Sequence, residues 1–228
     1  MSETADLRRL RRLVAGVCLI AAPAVLLLGA LVHPQVSHEA VAHLAVAARS
    51  PGRYFAAHAI LLAGLVLFLP AVLALMHLVQ GPATRLSRVG CALAIVGLFG
   101  ATAVVAVDGI AVSQMAQPQA NAEEMAALLA RIKASAGLRT IAVPGALAFV
   151  SGMLLLAFGL WRSRAIRQWM SGGLAMAAIT VFIGQVTDNR SVFAVAFAIY
   201  LLVLGPLGWA TVRAAPADRF ASRPAAGG

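Results

Sequence analysis

Uncharged, mostly aliphatic runs recur along the whole chain, separated by short polar stretches. The clearest begins at Arg53-Tyr54-Phe55-Ala56-Ala57-His58, continues from Ala59 to Met76 without a charge, and closes at His77. Eighteen such residues in a helix rise about 27 Å, close to the thickness of a bilayer's hydrocarbon core. Five more runs match it. The pattern predicts membrane helices at about 14–32, 56–79, 89–107, 141–161, 168–187 and 191–212. The fold class is therefore all-α: a polytopic membrane bundle of six transmembrane helices, residues 14–212. A basic N-terminus, 1–13, precedes it, and a Pro/Gly-containing tail, 213–228, expected to be disordered, follows it.

Two of the connecting segments carry a helical pattern of their own. In 37–48, Ser37 can cap a short helix on which Val41, Leu44, Ala45 and Ala48 share a face. In 121–136, Asn121 and Glu124 have capping-box spacing, and Met125, Leu128, Leu129 and Ile132 follow the i, i+3, i+4, i+7 rule. Both read as amphipathic helices lying at the outer interface, able to roof what lies between the spans.

Composition excludes an ordinary soluble domain: 61% of residues are hydrophobic, 11% are charged, and the mean hydropathy is +0.90. The net charge of +10 does not indicate nucleic acid, because the basic residues sit in short clusters between apolar runs. Anionic lipid headgroups are the expected partner, with a second copy or another membrane subunit as a further candidate. With both termini cytoplasmic, the inner segments hold twelve Arg/Lys and the outer ones six. This bias and the arginine-rich composition predict a multi-pass protein of a bacterial inner membrane. Trp161, Trp169 and Trp209 all fall at the inner ends of spans and form the matching aromatic belt. Cys18 and Cys91 lie singly inside apolar runs and read as small core hydrophobes.

Candidate chemistry gathers at the outer side. His33 ends the first span, His58 begins the second, Asp108 ends the third, and Gln185 and Asp188 end the fifth. His38, Glu39 and His43 stand in the loop above. Imidazole and carboxylate are the donors of a zinc or other divalent-metal site, and of a proton relay. The tentative ligand or metal set is His33, His43, His58, Asp108 and Asp188, with His38, Glu39 and Gln185 as secondary members. His38-Glu39-Ala40-Val41-Ala42-His43 has one residue too many for a zinc-protease motif, so its histidines diverge by about 140° round a helix. Shifting the chain by eighty residues places Asp108 on Asp188, and the small pairs Gly97/Ala101 and Gly173/Ala177 lie in the two segments so related.

From Pro51 to His58, through Leu69-Pro70-Ala71 and on to Asp108-Gly109, the chain resembles a broad group of uncharacterised bacterial six-helix membrane proteins. The resemblance implies the helix count and no activity. Three functions stay open: a membrane protein with an outward-facing His/Asp pocket for a small ligand or metal, serving transport; a membrane-embedded metal-dependent hydrolase; and a structural subunit that packs through its Gly/Ala faces.

Overall fold

A computed structural model of the protein describes residues 3–36 and 39–213. His38 and Ser37, and the tail from residue 214, lie outside the described residues. Among the described residues, eight α-helices run in chain order: α1 Glu3–Val32, α2 Ala40–Arg49, α3 Pro51–Leu78, α4 Thr84–Met115, α5 Ala122–Ala134, α6 Ala136–Ser163, α7 Gln168–Thr187 and α8 Arg190–Arg213. A single 3₁₀ turn, Gly81–Ala83, links α3 to α4. Six of the helices are long and apolar enough to cross a membrane. The protein is an all-α polytopic bundle, as its hydropathy pattern requires.

Helix boundaries differ from the sequence expectation where polar residues continue a helix beyond its apolar run. The third span is predicted to stop at residue 107, yet α4 runs on to Met115, so Asp108 lies inside a helix rather than after one. The second is predicted from 56 but starts at Pro51, where proline's fixed φ and missing N–H suit the first turn. On α2 the predicted face is wrong apart from Leu44. His43, Leu44 and Ala47 are buried, whereas Val41, Ala45 and Ala48 are exposed, because the ring of His43 turns inward to polar partners. On α5 the expected cap forms: the Asn121 side chain accepts hydrogen bonds from the amides of Glu123 and Glu124.

The six long helices close a ring in which sequence neighbours are spatial neighbours: α1 packs on α3, α3 on α4, α4 on α6, α6 on α7, α7 on α8, and α8 back on α1. The short helices α2 and α5 lie against each other over one end. Their small core, with Leu44, Ala47, Tyr54, Val112 and Leu129 buried, is separate from the main bundle core. Cys18 and Cys91 are buried in the main core as free thiols.

The seam of α4 and α6 is the closest. A Cβ at Gly97 would stand 2.4 Å from the backbone nitrogen of Phe149, and one at Gly152 would stand 2.3 Å from that of Ala94. Side chains cannot relieve a backbone clash, so these glycines set the interhelical distance. At the end away from the cap the packing is dense, with Leu75, Leu156, Leu160, Leu174 and Leu204 fully buried. Towards the capped end it loosens: beyond Gly152, α6 buries only Gly145, and beyond Ala178, α7 buries only Gly184.

Gly97→Ala should therefore lower the thermal midpoint in detergent, by an overpacking cost of about 1–3 kcal/mol. Gly172→Ala, where an added Cβ meets nothing within 4 Å, should hold or raise it. Equal midpoints for the two variants would show that the seam does not depend on Gly97.

Candidate functional site

The capped end carries a continuous polar network. Tyr54 and His58 stand one turn apart on α3, hence on one face. Tyr54 is fully buried, and its hydroxyl donates to Asp108 Oδ2 of α4 at 2.7 Å. His58 Nε2 meets the same oxygen at 3.0 Å, while His58 Nδ1 meets the Tyr54 carbonyl at 2.9 Å. On the other side, His43 Nε2 of α2 lies 2.8 Å from the Tyr54 hydroxyl, and Lys133 Nζ of α5 lies 2.9 Å from His43 Nδ1. The ring of His33, just past α1, sits 4.6 Å from that of His58, centroid to centroid. The Nδ1 of His33 is 2.7 Å from the Pro34 carbonyl, and its Nε2 meets an Arg190 guanidinium nitrogen at the start of α8.

Local sequence explains these placements. Pro34 bars continuation of α1 beyond His33, and Arg53 Nε donates to the Val32 carbonyl left open at the helix end, at 2.9 Å. Gly109 lets α4 approach α3, since a Cβ there would stand 2.5 Å from the Cβ of His58.

Donor and acceptor identities set the protons. Lys and Arg side chains only donate, so His43 accepts at Nδ1 and His33 at Nε2. It follows that His43 donates through Nε2–H to the Tyr54 oxygen, and His33 through Nδ1–H to the Pro34 carbonyl. Both rings are neutral. Burial first, and then the Arg190 charge, push the pKa of His33 from 6.5 down to about 3. Burial also lowers that of His43, with Lys133 adding to the effect against the opposing pull of Asp108. Both nitrogens of His58 face oxygen atoms inside the protein, the Tyr54 carbonyl and Asp108 Oδ2.

The expected metal centre does not fit this arrangement. His33 and His43 each have one lone pair, and each faces a cationic donor; both nitrogens of His58 are turned to oxygen atoms of Tyr54 and Asp108. Among the described residues no group of three or more His, Cys, Asp or Glu side chains is placed to hold a metal ion. Of the remaining predicted residues, Gln185 and Asp188 lie at the mouth of the cavity described next, Glu39 is the residue before α2, and His38 is outside the described residues. Tyr54, Lys133 and Arg190 are the members that sequence reasoning missed. Tyr54 reads as an interfacial aromatic and the two cations as topogenic charges; the Tyr54/His58 spacing is the signal that could have exposed the first.

Beneath the network, inside the ring, lies a cavity of about 300 Å³. His58, Asp108, Gln185, Asp188 and Arg190 line one end of it. Its body is apolar and aromatic, lined by Phe149, Phe182, Phe193 and Phe197 and ending at Phe68 and Tyr200, whose rings meet at 5.2 Å. Five of the nine phenylalanines thus face one space. From His58 to Phe68 along α3 is ten residues, about 15 Å of depth. The class defined by fold and site is a multi-pass helical membrane protein with buried histidines above an internal cavity. No protein-family model, curated protein or solved structure matches the chain.

The pH dependence follows from the depressed histidines. Unfolded His33 takes up a proton near pH 6.5 and folded His33 only near 3, so the unfolded state binds more protons in between. The stability from the neutral ring is complete above about pH 6.5 and is lost progressively as pH falls toward 3. Thermal midpoints in detergent should drop across this window, and His33→Gln should flatten the drop. A wild-type midpoint constant from pH 7 to pH 4 would contradict the buried neutral rings. Tyr54→Phe, which takes one donor from the half-buried Asp108 carboxylate and the acceptor from the buried His43 ring, should cost about 1–3 kcal/mol at neutral pH.

Proposed function

We propose that this protein is a membrane receptor or carrier for a small amphipathic molecule, held with its polar head at the His58–Asp108 end and its apolar body among the phenylalanines. One observation carries the reading: an internal cavity with a polar mouth and an aromatic body, in a bundle that is otherwise closely packed. Its size lies at the lower end of the range for small-molecule sites, and its few convergent polar groups suit orientation of a ligand. The space ends at Phe68 and Tyr200, and dense aliphatic packing lies beyond. A ligand therefore enters and leaves on the network side, which favours capture and presentation over passage through the bundle. A metal-dependent hydrolase is disfavoured, because the lone pairs it needs are already engaged.

A dodecanoate methyl ester bearing a diazirine should, on irradiation in nanodiscs, label the peptides of α6 and α8 that carry Phe149 and Phe197. Ala101→Phe and Ala146→Phe, each filling the cavity from its wall, should cut that labelling about tenfold, with label near the lipid-facing Leu202 unchanged. Unlabelled cavity peptides, or labelling indifferent to both variants in folded protein, would overturn the reading.

A further inference from the structure

The α8 wall of the cavity specifies the ligand more closely. Arg190, Phe193, Phe197 and Tyr200 follow one another at i, i+3, i+7 and i+10, a single helical face, and all four line the space. The two ends of this stripe carry buried polar atoms without a hydrogen-bond partner, the Arg190 Nε and the Tyr200 hydroxyl. Tyr200 is fully buried among aromatic and aliphatic side chains. An unmade hydrogen bond in such a place is costly, and phenylalanine would fill nearly the same volume without that cost. A hydroxyl kept there calls for a partner that arrives with the ligand.

Arg190 makes the matching case at the mouth. Its described hydrogen bond goes to the neutral ring of His33, and its Nε–H has no acceptor. The carboxylates of Asp108 and Asp188 line the mouth beside the Arg190 guanidinium, so the mouth carries no excess of fixed positive charge. A net anion gains little from such a mouth, whereas a neutral oxygen acceptor can take the Arg190 N–H without unbalancing it. The two donors lie ten residues apart on α8, about 15 Å along its axis.

Resting on the receptor reading above, we propose that the ligand is an uncharged apolar molecule with an oxygen function at each end. A carbonyl-type acceptor lies at Arg190, and a hydroxyl or carbonyl oxygen lies at Tyr200 beside Phe68. The phenylalanines between them accept a chain or a ring with no further polar groups.

The test is competition against the diazirine label in nanodiscs, with methyl dodecanoate, methyl ω-hydroxydodecanoate and dodecanoate as competitors. The ω-hydroxy ester should compete at about tenfold lower concentration than the plain ester, and the carboxylate no better than the plain ester. Tyr200→Phe should erase the preference for the ω-hydroxyl and leave the thermal midpoint of the ligand-free protein equal or higher, since it removes an unpartnered buried group. A structural hydroxyl would instead lower that midpoint. Equal competition by the two esters, or a preference that survives Tyr200→Phe, overturns the far-end assignment while the receptor reading stands. Tighter binding of dodecanoate than of its ester overturns the neutral head. Failure of all three competitors to displace a label lodged in the cavity overturns this inference entirely. Absence of cavity labelling in the first place counts against the receptor reading itself.

Discussion

Everything at the capped end depends on the Asp108 carboxylate, which stands inside a helix long and apolar enough to span a membrane. A carboxylate in that setting is tolerated only when charge and hydrogen bonds meet it. One oxygen receives both the Tyr54 hydroxyl and the His58 ring. Because Tyr54 must serve Asp108 as a donor, its oxygen is left to accept from His43, and His43 in turn from Lys133. A single acid on α4 thus orders α3, then α2, then α5, in one direction of donation. The cap is the consequence of satisfying a half-buried charge within an apolar helix.

The same constraint gives the cavity its mouth, but not its volume. Volume comes from unequal packing along the ring. Gly90, Gly97 and Gly152 let α4 and α6 touch backbone to backbone. Toward the cap, large aromatic rings on α6, α7 and α8 replace interlocking aliphatics, and rigid rings around a central axis leave space that leucines would fill. The polar network flanks the mouth of that space, and the Phe68–Tyr200 contact ends it.

Three histidines and an aspartate within one leaflet read naturally as metal ligands. Their neighbours reverse that meaning. A ring nitrogen can bind a metal only through a free lone pair, and Lys133 and Arg190 occupy those of His43 and His33. The cations stand far away in sequence, ninety residues from His43 and 157 from His33. Chemistry that residue types alone suggest is decided here by which partner reaches which nitrogen.

How much of this was legible in the chain divides along the same line. Hydropathy determined the six spans, because a bilayer imposes a length and an apolar composition on any helix that crosses it. Local capping chemistry determined α5, through Asn121, and the start of α3 was open to the same reading at Pro51. The gathering of His33, His43, His58 and Asp108 at one end was legible too, since alternating spans return to the same side. What tertiary structure alone decided was the role of Tyr54, Lys133 and Arg190, the inward turn of His43, and the cavity. None of these follows from periodicity: each depends on which faces of separate helices meet, and at a hydrogen bond's tolerance a small rotation of α2 or α8 would exchange one partner for another. Sequence set the membrane frame because solvent dictates it residue by residue; the site required distances, which only the packed ring supplies.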